Sequence, residues 1–129
     1  MIQQTIKRVF KHYKKAYNLT TKLRFRLKKE LLGCVFKSNK NTIYFAFPPL
    51  SYYYTEKQKR QESLFAILHE IGHAIDYKYN KEQMEQERKN INRFLYTTNS
   101  NYWRNLPFEK RANNFAEKEI TKWEGFEEK

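Results

Sequence analysis

A single cysteine, Cys34, excludes a framework of intramolecular disulfides and fits a reducing compartment. Three glycines and three prolines in 129 residues leave too few turn residues for a many-stranded sandwich or barrel, or for a flexible linker. No apolar run approaches the roughly 18 residues needed to cross a bilayer, so no membrane association is expected. The opening stretch, MIQQTIKRVFKHYKK, lacks the uninterrupted apolar core of a secretory signal, and a cytoplasmic location is the expectation. Valine, methionine and tryptophan are scarce as well. Ten Tyr and ten Phe must therefore carry much of the core. An apolar fraction of 40% is enough for one core, and the length fits one domain over residues 1–129.

Charge is plentiful and of one sign. Twenty-six Lys and Arg against fourteen acids give +12. The bases are densest in the first forty positions (Lys7, Arg8, Lys11, Lys14, Lys15, Lys22, Arg24, Arg26), whereas acids gather at 82–87 and from Glu109 onward. Such a field attracts acidic partners or nucleic acid, although a solvated lysine-rich surface would have the same composition.

Periodicity gives an α+β order. Ile2, Ile6, Val9, Phe10, Tyr13 and Tyr17 recur at helical spacing over 2–17. Leu23, Phe25 and Leu27 alternate with bases, as in a half-buried strand. Two further strands, 32–37 and 42–47, flank a Ser38–Asn41 hairpin turn, and Pro48 and Pro49 end the second. A long helix follows over 55–79, with Thr55 as N-cap. A polar helix is expected over 82–95, burying Ile91, Phe94 and Leu95, then a loop at 97–101. A last helix runs from Pro107 to about Trp123.

The long helix contains His69-Glu70-Ile71-Gly72-His73, an HExxH motif. Residues four apart share a helical face, so both imidazoles can hold one Zn²⁺. Glu70 is then placed to take the proton of an attacking water and pass it to a leaving amine. With three histidines in the chain, the pattern would arise by chance less than about once in a hundred such sequences. A third ligand is needed. No His or Cys lies downstream, so a ligand following the motif must be a carboxylate. Asp76 is too close along the same helix; it either accepts a hydrogen bond from a ligating imidazole or is a solvated surface acid. On the last helix, Phe108, Ala112, Phe115, Ala116, Ile120 and Trp123 form one apolar face. Glu109 falls within it and Glu117 at its edge, making Glu109 the first candidate and Glu117 the second. An oxyanion donor is expected among Tyr77, Tyr79, Tyr96, Tyr102 and Trp103, with Tyr102 favoured because it lies in the loop just before the Glu109 helix.

HEIGHAID followed by PFEKRANNFAEK resembles the zincin metallopeptidases in their Glu-ligand (gluzincin) form, and most of all the ImmA/IrrE-like group. In that group the HExxH helix is followed by Glu-x-x-Ala-Asn/Asp-x-Phe-Ala, matched here by Glu109, Ala112, Asn113, Phe115 and Ala116. The lethal-factor-like zincins are similar too, but their Glu ligand stands where this chain has Asn113. The resemblance covers the central and last helices. It implies zinc on His69, His73 and Glu109, catalysis by Glu70, and a small sheet whose edge strand, expected at 42–47, aligns an extended peptide. It also implies a zinc-dependent peptidase acting on a protein substrate such as a repressor or regulator of a mobile element. Two rivals are a basic module that binds nucleic acid or protein on the same scaffold with little or no protease activity, and a toxin or effector domain.

Overall fold

The computed structural model describes residues 2–26, 33–46 and 55–125. In chain order the elements are α1 (Ile2–Ala16), β1 (Lys22–Arg26), β2 (Gly33–Lys37), β3 (Thr42–Ala46), α2 (Glu56–Tyr79), α3 (Lys81–Lys89), α4 (Arg93–Thr98), α5 (Ser100–Arg104) and α6 (Pro107–Ile120). This is an α+β fold. Among the described residues no helix is long and apolar enough to cross a membrane.

The first helix forms as its periodicity requires, burying Ile6, Val9, Phe10 and Tyr13 and turning its lysines outward. Each large aliphatic side chain so buried contributes about 1.5–3 kcal/mol before the entropy of ordering is counted. The three strands form one mixed sheet in the order β1-β3-β2. β3 is antiparallel to β2 and parallel to β1, with Phe25, Phe45 and Cys34 in one cross-strand row. That order corrects one expectation. The 42–47 strand is not an edge, because β1 and β2 occupy both of its sides. All five β3 residues are buried. The tight turn after β2 sends the chain back beside it, leaving β3's other side for β1. Asn41 takes the left-handed conformation there (φ 47°), and its side chain accepts from Thr21 Oγ1 and donates to Thr20 Oγ1. Those bonds tie the turn to the start of β1. Leu27, Leu32, Phe47, Pro48 and Pro49 lie outside the described residues.

α2 is the spine. Thr55 and Gln58 make a reciprocal capping box at its start, worth about 1 kcal/mol. Leu64, Ile67, Leu68 and Ile71 then join the core with α1, the sheet and α6. The region after α2 departs from expectation. One polar helix over 82–95 is replaced by α3 and α4, and 97–101 is largely helical rather than a loop. Three asparagines explain the breaks: Asn90 ends α3, while the side chains of Asn92 and Asn99 cap α4 and α5 by accepting from Leu95 N–H and Tyr102 N–H. Met84 is the buried anchor of this region, and Phe94 is 73% exposed instead of buried.

Candidate metal centre

α2 and α6 pack closely enough to bring one acid onto two histidines. Gly72 is why. A Cβ there would stand 3.1 Å from the Ala112 Cα and 3.3 Å from both the Ala112 carbonyl oxygen and the Phe115 ring. Ala112 and Ala116, both buried, keep the facing side of α6 equally thin. Pro107 begins α6, and Glu109 lies in its first turn among core residues, 7% exposed.

His69 Nε2 and His73 Nε2 are 3.1 Å apart. Glu109 Oε2 is 3.1 Å from the first and Oε1 is 3.1 Å from the second. Three acceptor groups cannot share such a space without a cation or proton among them. A metal bound tetrahedrally at 2.0–2.1 Å separates its donors by about 3.3 Å, close to the distance between the two imidazole nitrogens and from each of them to one Glu109 oxygen. The donor set therefore fits a divalent ion held by His69, His73 and Glu109. Glu70 stands close by: donor atoms of His69, Glu70 and His73 lie within 4.8 Å of one another. Glu117, the second candidate, is exposed on α6.

Burial pushes the Glu109 carboxyl up, but the two imidazoles that hydrogen-bond to it outweigh this and bring it down to about 2. For His69, burial pulls the imidazole down, while Glu109 and the charge of Glu70 hold it above its ordinary value. Burial raises the Glu70 carboxyl against the pull of both histidines. Glu70 is 8% exposed and its Oε2 has no hydrogen-bond partner. It borders a cleft of ≈ 390 Å³ together with His69, Cys34, Phe65, Trp103 and Asn113. A buried carboxylate oxygen without a partner is costly and calls for an explanation.

Other expectations fare differently. Asp76 does not support a ligating imidazole. Its carboxylate receives Arg111 Nε and Nη2, at 2.7–3.1 Å, and the Asn80 amide. The Nδ1 atoms of His69 and His73 have no partner. Arg111 also donates to both oxygens of Glu87, tying α2, α3 and α6 together. It lies two residues after Glu109 and was missed, because nothing local distinguishes it from the other bases on α6. Tyr102 is on α5, and its hydroxyl accepts the Asn92 backbone N–H at 2.8 Å. Among the described tyrosines, Tyr96 has its hydroxyl raised, by burial first and then by the Glu109 charge. Cys34 and the Phe36 backbone, both on β2, also reach the Glu70 side of the cleft. The sequence offered no sign of this, since neither residue stands near the motif along the chain. No family model, curated protein or solved structure matches this chain.

Proposed function

We propose that this protein is a zinc-dependent peptidase. The observation that carries the reading is the triangle of His69, His73 and Glu109 with the unpartnered oxygen of Glu70 beside it. Two imidazoles and one carboxylate suit zinc, and three protein ligands leave a coordination position for chemistry. The ion would supply positive charge to activate a water and polarise a scissile carbonyl. Glu70, its carboxyl raised by burial, takes the proton of the attacking water and delivers it to the leaving amine. His69 and His73, four residues apart on a rigid helix, and Glu109, on a helix locked against it, need no rearrangement to bind.

Substrate geometry follows from the sheet. β2 pairs with β3 on one side and with no described strand on the other, and it packs on α2 beside Glu70. An extended peptide added to that edge would run past the site, its main chain held by ladder hydrogen bonds. β2 thus takes the part first expected of 42–47. A protein substrate such as a regulator of a mobile element is the extension that the zincin resemblance adds.

The test is metal analysis together with cleavage of a fluorogenic peptide library. The wild type should carry one equivalent of zinc and cleave. His69→Ala and Glu109→Ala should lose the metal. Glu70→Gln should keep it and lose cleavage at least about a hundredfold. A Glu70→Gln protein as active as wild type would reject the proposal.

A further inference from the structure

The chain's excess positive charge lies almost wholly in its first 46 residues. Residues 1–46 hold twelve Lys and Arg and one acid, Glu30, while residues 47–129 hold fourteen and thirteen. So +11 of the formal +12 belongs to residues 1–46, and ten of those bases lie in the described residues 2–26 and 33–46. Within residues 2–26 and 33–46 there is no acid.

The fold brings two rows of these bases to the β1 side of the molecule, one on α1 and one on β1. α1 presents Lys7, Lys11 and Lys15 on successive turns, all exposed. It lies alongside β1: Lys7 Nζ is 5.6 Å from the Phe25 ring centre, and Lys14 Nζ donates to the Thr21 carbonyl at 2.9 Å. Exposed Lys22 and Arg24 follow on β1, an edge strand, on the same sheet face as Tyr44. On the sheet face away from the core, Arg26 stacks 3.9 Å from the Tyr44 ring and Lys37 approaches it at 5.8 Å. These contacts leave Tyr44 only 7% exposed.

We propose that this surface binds double-stranded DNA through its phosphates. Lysines one turn apart along a helix stand about 5–6 Å from one another, a spacing suited to a regular row of phosphates rather than to one acidic side chain. A duplex is favoured over a single strand because single strands bind by stacking bases on exposed aromatic rings. Among the described residues, the one aromatic on the outer sheet face is capped by bases, and the exposed Tyr79, Phe94 and Tyr96 belong to α2 and α4. DNA is favoured over duplex RNA because an α-helix enters the wide B-form major groove but not the narrow A-form one. Contacts made by lysine to phosphate carry no base information, so binding is independent of sequence. The proposal does not rest on the peptidase reading.

Fluorescence anisotropy of the zinc-loaded full chain with a labelled DNA duplex of mixed sequence tests it. Five phosphate contacts, from Lys7, Lys11, Lys15, Lys22 and Arg24, predict a slope of log K against log salt of about −4.5. The variant Lys7→Gln/Lys11→Gln/Lys15→Gln should bring that slope to about −2 and weaken binding at least about tenfold, with zinc stoichiometry unchanged. The separate pair Lys22→Gln/Arg24→Gln should lower its magnitude by about 2, which keeps the test decisive if the helix variant does not fold. Absence of binding at low salt would overturn the proposal, as would slopes unaltered in the folded variants. So would tighter binding to single-stranded DNA, to an RNA duplex of the same sequence or to vesicles of anionic lipid.

Discussion

Gly72 lies between the two histidines of the motif in sequence, and its missing side chain sets how near α6 can come. The atom a methyl would meet at 3.1 Å is the Ala112 Cα, which cannot rotate away. Gly72→Ala should therefore force the helices apart. Overpacking of this kind costs about 1–3 kcal/mol, against up to about 1 kcal/mol gained from better helix propensity. We expect a net fall in the melting temperature of the metal-free protein and weaker zinc binding, read by calorimetry. A melting temperature that holds or rises would show that α2 and α6 do not meet here. The motif itself was legible at this scale, since four-residue spacing on a helix is a local property. The unpartnered Oε2 of Glu70 was not, because burial by β2 decides it.

Between elements, the longest reach belongs to Arg111. Its guanidinium holds Asp76 of α2 and Glu87 of α3 while its own helix carries Glu109. Asp76 is 5% exposed, so removing Arg111 leaves a buried carboxylate without its cation and two acids facing each other. Arg111→Met should cost about 2–3 kcal/mol, less than the roughly 3–5 kcal/mol of breaking a fully buried pair, because the guanidinium is partly exposed. Urea unfolding measures this. On the proposed reading zinc should still bind, more weakly than to wild type, since His69, His73 and Glu109 all remain. An unchanged unfolding midpoint would mean that the pairing holds nothing together. Expected helix boundaries were good where an apolar stripe was continuous, as in α1, α2 and α6. They failed between 82 and 101, where the residues are polar nearly throughout and asparagine caps, not periodicity, set the ends.

For the molecule as a whole, the site couples stability to pH. His69 is raised above its ordinary value, so its contribution is full below about pH 6.5 and is lost as pH rises through its folded value. Glu109, lowered to about 2, contributes above its ordinary range near 4.3 and loses that contribution as pH falls toward 2. Glu70, raised by burial, works against Glu109 over the acid range. The metal-free chain should thus melt at a lower temperature at pH 8 than at pH 6. Zinc needs neutral imidazoles, so the rise in melting temperature on adding it should grow over the same interval. Melting curves at the two pH values, with zinc and with chelator, check both signs, and His69→Ala should abolish both trends. The sequence by itself determined the histidine pair, the inward acid of the last helix, the long helix that carries the motif and the concentration of bases at the front. Each of these is written in spacings of three or four residues or in plain composition. Tertiary structure alone decided that β3 lies between β1 and β2, that β2 borders the site, that Asp76 answers Arg111 instead of a histidine, and that Tyr96 stands in the field of Glu109. These depend on contacts between residues far apart in the chain, and no local period records which distant partner a strand or a charge will meet.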